Sequence, residues 1–113
     1  HCVSSYPCDI KTINLPRIGA LKKISKEVGY SGHYHGVEDA LGAISLGCQY
    51  VEKHFTINRK LPGRDNKFAI LPDDLKNISN FRDLYQSMNT NKGLDLQTCE
   101  MSTYKIYRGR WSK

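Results

Sequence analysis

Two short β-like segments, each ending in a histidine and separated by a run of helix length, constrain this chain more than anything else in it. The first reads Val28-Gly29-Tyr30-Ser31-Gly32-His33 and the second Val51-Glu52-Lys53-His54-Phe55-Thr56. Between them Val37, Ala40, Leu41, Ala43, Ile44 and Leu46 recur at helical spacing with a small-residue face, and Gly47 supplies the stop. Strand, helix and strand joined by short connections make a parallel β/α unit. In a β/α barrel, consecutive strands deliver their C-terminal residues to one shared mouth. His33 and His54 lie 21 positions apart, yet are therefore expected to converge on one metal ion. That pattern points to an enzyme active site or to part of one.

The flanks extend the pattern. His1 to Tyr6 reads as the end of a buried strand stopped by Pro7, and Cys8 to Asn14 as a connecting loop. Leu15, Ile18, Leu21, Ile24 and Val28 predict a helix over 15–27, with Asn14 as N-cap and Pro16 in the first turn. Val28 to Ser31 is a short strand, and Gly29 and Gly32 leave room for close approach of a ligand. Gln49 to Ile57 is the clearest strand: alternation puts Val51, Lys53 and Phe55 on one side, Glu52, His54 and Thr56 on the other. The polar loop Asn58 to Asn66 is long for a compact domain, and such loops are often functional. Pro72-Asp73-Asp74 opens a third helix, with Leu75, Ile78, Phe81, Leu84 and Met88 as its apolar face. Asn89 to Lys113 reads as a polar linker.

The predicted class is α/β, built from three parallel β/α units. Three units cannot close a barrel, which needs eight and ~250 residues. By pattern alone, a small open three-stranded sheet is the alternative. The chain opens on His, and its first residues read as a buried strand, so a piece of a longer chain is expected.

Composition excludes several classes. The 113 residues suit one domain, and 39% hydrophobic with 25% charged is ordinary for a globular protein. No apolar run approaches the ~18 residues of a membrane span, and no signal peptide is visible. Cys2, Cys8, Cys48 and Cys99 lack C-x-x-C spacing. Cys2 and Cys48 sit in apolar contexts and are expected as reduced, buried thiols, which places the chain in the cytoplasm. The net charge of +6 is scattered over helix faces, and only Lys105 to Lys113 forms a basic cluster. No aromatic-interleaved motif accompanies it, so a nucleic-acid partner is not expected. A phosphorylated or carboxylated small-molecule substrate fits the charge as well.

At these residues the chain resembles the sialic acid synthase (N-acetylneuraminate synthase) family. The match runs in order through His1-Cys2-Val3-Ser4-Ser5-Tyr6-Pro7, Asn14-Leu15, Gly29-Tyr30-Ser31-Gly32-His33 and Ala43-Ile44-Ser45-Leu46-Gly47. It continues through Glu52-Lys53-His54-Phe55-Thr56, Pro62-Gly63-Arg64-Asp65 and Cys99-Glu100-Met101. Each motif alone is weak; their order and spacing are specific. The resemblance implies enzymes that condense phosphoenolpyruvate with N-acetylmannosamine or a related amino sugar. Residues 1–88 would then be the last three β/α units of a (β/α)8 TIM barrel, and 89–113 a linker towards an antifreeze-like domain. That domain reaches into the partner's active site in the family's homodimers. A fragment lacking the first five units is expected to be inactive by itself, with a sheet edge exposed at its first strand.

The resemblance also assigns roles. His33 and His54 would ligate a divalent ion, usually Mn2+, with Mg2+ or Co2+ as alternatives. Two imidazoles leave open positions for water and a substrate oxygen, as Lewis-acid chemistry needs. Asp65 matches an aspartate that contacts the amino sugar, against a plain Gly-x-Asp turn residue. Ser31 resembles a serine that contacts phosphoenolpyruvate, and Tyr6 a sugar-site tyrosine. Ser4 stands where some members carry asparagine. Glu52 points to the side of His54 and is read as a buried acid that orients it or acts on the substrate. Lys53 is expected to face the helices, His35 the solvent, and His1 to be packed in its strand.

The chain departs from the pattern at Gly32, where many members have Asp, and at Tyr34, Arg64 and Asn66. These lie near the sugar end, so a diamino sugar or a 6-phosphorylated sugar stays open as substrate. Two rival readings are a non-catalytic α/β module that binds a partner through its basic tail and a small zinc protein using cysteines with His33 and His54.

Overall fold

In the computed structural model, which describes residues 1–110, the two histidine-bearing segments pair as parallel strands. β1 (Gly29–Gly32) lies beside β2 (Tyr50–Lys53) with Gly29 opposite Tyr50 and Gly32 opposite Lys53. The crossover between them is α2 (Glu38–Ser45), with Leu46 as its C-cap and Gly47 following at φ +77°. That left-handed turn is one that glycine makes without strain.

Each strand gains a short neighbour. Cys2 makes a parallel bridge to Ser31, and the Ser31 amide donates to the His1 carbonyl at 2.9 Å. Phe55 bridges Ile70, with the Ile70 amide on the His54 carbonyl at 2.8 Å and the Thr56 amide on the Ile70 carbonyl at 3.0 Å. The long loop thus folds back beside the end of β2. Arg59 pins it there, donating from Nε to the Ala69 carbonyl (3.0 Å) and from a terminal nitrogen to Asp74 (3.3 Å). Asp74 also accepts the Leu71 amide at 2.9 Å, capping the start of α3 (Pro72–Met88).

α2 is the centre of the packing. Its Ala40 and Ala43 are fully buried, one against Ile44, Ile70 and Ile78, the other against Cys8, Ile13, Ile18, Val28 and Tyr30. Small side chains let the helix lie close to the sheet, which is why this face reads as alanine in the sequence. Tyr85 of α3 reaches back to α2, its hydroxyl donating to the Ser45 carbonyl at 2.7 Å.

Several sequence expectations are corrected. The first helix, α1 (Pro16–Leu21), ends well before residue 27. The Leu21 carbonyl accepts both the Ile24 and Ser25 amides, tightening the chain into a turn, and Ile24 is 82% exposed with no apolar partner to extend the helix for. Asn14 is not its N-cap: it sits at φ 55°, and Leu15 occupies the cap position without a side-chain bond. The strand expected over 49–57 is shorter: it spans Tyr50–Lys53, Gln49 meets Val28 through its backbone amide (3.0 Å) and its side-chain oxygen (2.9 Å), and Phe55 keeps only the isolated bridge to Ile70. The strand expected over 1–6 reduces to the bridge at Cys2, and Cys2 is exposed rather than buried, with a neighbour on one side only. Cys48 is half-buried, and burial pushes its thiol pKa up. The tail is not wholly irregular: a 3-10 turn, Thr98–Glu100, runs into an exposed helix, α4 (Met101–Tyr107). The last part of the expected basic cluster, 111–113, lies outside the described residues. Among those that are described, no helix is long and apolar enough to cross a membrane.

Candidate functional site

Alternation along two in-register parallel strands divides their side chains between two faces. Tyr30 and Lys53 turn towards α2, as expected for Lys53, while Ser31, His33, Glu52 and His54 occupy the other face. The register makes Ser31 the direct neighbour of Glu52, and the serine hydroxyl donates to Glu52 Oε1 at 2.8 Å. Two residues further along each strand, the imidazoles of His33 and His54 lie 5.3 Å apart centre to centre.

His33 is buried and held. Its Nδ1 lies 2.9 Å from the Val3 carbonyl, which can only accept, so Nδ1 carries a proton and Nε2 is the nitrogen that the neutral ring offers to a ligand. The Tyr6 ring lies tilted against this one, 4.1 Å between centroids, with the His54 and Phe68 ring centroids 6.1 Å from its own. His54 is more open, with a side chain 33% exposed. Its ring packs on Phe68 at 5.2 Å, and its Nδ1 faces Asp65 Oδ2 at 3.6 Å, just beyond hydrogen-bond length.

The predicted residues therefore assemble around the imidazole pair. Tyr6 and Asp65 touch it directly, and Ser31 and Glu52 lie one step back along the same face. Ser4 joins at one remove: Cys2 Sγ lies 3.8 Å from Ser4 Oγ and 3.9 Å from His33 Nδ1. Glu52 is exposed and not the buried acid expected, because nothing among the described residues covers the face it shares with Ser31. Sequence reasoning missed Phe68, which follows a polar loop and reaches the site only because Arg59 folds that loop back.

It also missed the polar cluster behind the site. Lys53 Nζ donates to both Asp39 carboxylate oxygens at 2.9 Å and to the Tyr34 carbonyl at 2.6 Å. The Tyr30 hydroxyl donates to Asp39 Oδ2 at 2.9 Å. Burial, and then the Asp39 carboxylate, raise the Tyr30 pKa well above the usual tyrosine range. This cluster accounts for the glycine at position 32: a Cβ there would lie 2.3 Å from Asp39 Oδ2 and 2.6 Å from the Tyr30 ring. An aspartate at 32 has no room while Asp39 supplies the carboxylate.

The model of the NeuB family matches residues 1–93. The chain belongs to the NeuB family. NeuB relatives include the N,N'-diacetyllegionaminic acid synthase of Campylobacter jejuni, 39% identical over 77 residues, and the N-acetylneuraminate-9-phosphate synthase of Drosophila melanogaster, 41% identical over 81. The matches cover 67% and 70% of this chain but only 23% and 22% of those relatives, so the chain spans under a quarter of their length. The sialic acid synthetase of Leptospira borgpetersenii, solved in complex with citrate, superposes with a TM-score of 0.80 at 31% identity, over 100% of this chain and 40% of that one. The α/β fold described above is thus a NeuB fold, and the site just built lies within the matched residues.

Proposed function

We propose that this chain is the C-terminal part of a nonulosonate synthase barrel, its last three β/α units. The whole enzyme would condense phosphoenolpyruvate with N-acetylmannosamine or a related amino sugar to give a nonulosonic acid and phosphate. The observation that carries this reading is the imidazole pair: two rings 5.3 Å apart, one of them buried and held at Nδ1 by the Val3 carbonyl.

The residues present fit a divalent ion. His33 and His54 would hold it as a pair, since among the described residues no group of three or more His, Cys, Asp or Glu is placed to hold an ion. Two nitrogen donors leave the remaining positions to water and substrate oxygen, a donor set compatible with Mn2+, Mg2+ or Co2+. Such an ion supplies Lewis-acid polarisation of the sugar's carbonyl.

This chain's own groups do the rest. Tyr6 shields the inner imidazole and orients its plane. Asp65, at the mouth of the loop beside His54, would accept hydrogen bonds from sugar hydroxyls. Ser31 donates its hydroxyl proton to one oxygen of Glu52 and leaves the other oxygen to act on substrate or water. On binding phosphoenolpyruvate Ser31 would turn that proton from Glu52 to the substrate, and Ser4 would present a second hydroxyl beside it. The fold's open face, carrying Ser31, Glu52 and the more exposed His54, would be closed by the other units of the barrel, so the 113-residue chain alone is expected to be inactive.

The test is calorimetric titration with Mn2+ on this chain and on His33→Ala and His54→Ala. Binding lost in both variants supports one shared site. Binding unchanged in both would sink the reading. Retention after cysteine alkylation would exclude a cysteine-based zinc site.

A further inference from the structure

The ladder that aligns the two histidines stops one residue short of them. Its last pair is Gly32 with Lys53. Beyond it the backbones diverge: the His33 carbonyl accepts the Cys8 amide at 2.9 Å, and the His54 carbonyl accepts the Ile70 amide at 2.8 Å. The bonds of the β1–β2 ladder therefore do not set the lateral distance between the two imidazoles.

The Lys53 side chain crosses the gap instead. Lys53 immediately precedes His54, and Tyr34 immediately follows His33. The ammonium donates its three protons to the Tyr34 carbonyl at 2.6 Å and to Asp39 Oδ1 and Oδ2 at 2.9 Å each. Asp39 is anchored in the first turn of α2, where it also takes the Tyr30 hydroxyl and the Ala40 amide, each at 2.9 Å. The side chains of Lys53 and Asp39 are 4% and 0% exposed. A buried ion pair is seldom worth more to stability than apolar side chains of the same size. Here, however, every donor and acceptor is matched, and the Cβ missing at Gly32 leaves the space that the carboxylate occupies.

We propose that Lys53 and Asp39 form a positioning clamp that fixes the spacing of His33 and His54 from behind the sheet. The two residues touch neither imidazole. They act by holding the end of β1 against the end of β2 at the point where the ladder gives out. The metal arm of the test rests on the proposed metal site; the spectroscopic arm does not.

Removing one partner would strand a buried charge and could unfold the chain, so the deciding variant removes both: Asp39→Leu with Lys53→Met. Lys53→Arg keeps a cationic donor and serves as the conservative rescue. The metal-free readout is the imidazole 15N spectrum at fixed pH, the second is Mn2+ affinity by calorimetry, and thermal unfolding is the control. The expected result is a double variant that unfolds near the wild-type temperature and shows shifted imidazole 15N resonances for His33 and His54. Its Mn2+ affinity should fall about tenfold, the scale of losing a residue that orients metal ligands. Lys53→Arg should keep both readouts. A double variant with wild-type imidazole spectrum and affinity overturns the clamp. So does a double variant that cannot fold, since the pair would then hold the fold itself rather than the spacing. Changed imidazole spectra in a chain that binds no Mn2+ at all would uphold the clamp and reject the metal site.

Discussion

The imidazoles of His33 and His54 lie 5.3 Å apart at an interplanar angle of 60°, and their separation in sequence equals the offset at which β1 pairs with β2. Gly29 faces Tyr50 and Ser31 faces Glu52, so the same offset carries His33 to His54. A slip of one residue would send one imidazole to the helical face. The crossover helix α2 packs against both strands of that pair. Its buried alanines seat on the sheet, and its first turn holds Asp39 against Lys53.

The two histidines should respond differently to removal. His33 is buried, bonded to Val3 and packed against the tilted Tyr6 ring, whereas the His54 side chain is one-third exposed. His33→Ala is expected to cost about 2 kcal/mol of stability from a lost buried ring and hydrogen bond. His54→Ala should stay within about 1 kcal/mol. Urea unfolding of the two variants measures the difference, and equal losses would contradict the burial asymmetry.

Asp39→Asn leaves the Lys53 ammonium buried at 4% exposure without a counter-charge. Breaking one side of such a pair costs about 3–5 kcal/mol, so this single amide substitution should destabilise the chain more than either histidine variant. A loss under about 1 kcal/mol, read by the same unfolding titration, would mean that water reaches the pair.

Which of these features the sequence discloses depends on how local their cause is. The strand alternation that turns Lys53 to the helices and His54 to the other face is local, and so is the small-residue face of α2. Asp39 is opaque because an acid in a first helical turn reads as a cap, and only the fold brings Lys53, 14 positions on, against it. Ile24 and Val28 extend the apolar period of the first helix, yet Ile24 is exposed, and Val28 gives its amide to Gln49 instead. Phe68 depends on Arg59 bonding the loop to α3, a contact between residues that carry no motif. The tail's α4 escapes notice because its residues are polar or exposed and pack on no core.

Two glycines should answer alanine with opposite signs. Gly32→Ala places a methyl 2.3 Å from Asp39 Oδ2, 2.6 Å from the Tyr30 ring and 3.1 Å from Lys53 Cδ. All three atoms belong to a buried cluster, so the overpacking should cost about 1–3 kcal/mol. Gly19 lies exposed in α1 with nothing within 4 Å of its Cβ position, and alanine there should gain about 0.5–1 kcal/mol of helix propensity. Thermal unfolding of the pair reads both signs, and a stabilising Gly32→Ala would contradict the tight cluster around Asp39.

Tyr30 gives the fold an alkaline limit. Burial and the Asp39 carboxylate raise its pKa in the folded chain, whereas the unfolded chain releases that proton near the ordinary value of about 10. The folded state therefore holds the proton more tightly. The stability this contributes is fully present below about pH 10 and is lost as pH rises above it, because unfolding then releases a proton. Tyr30→Phe has no proton to release and should lack this component. At neutral pH the variant loses one hydrogen bond to Asp39, which keeps both contacts from Lys53, so it should be less stable by about 1 kcal/mol. Urea unfolding at about pH 8 and about pH 11 should show that deficit shrinking or reversing at the higher pH. A deficit of the same size at both would mean that the Tyr30 hydroxyl titrates alike in the folded and unfolded chains.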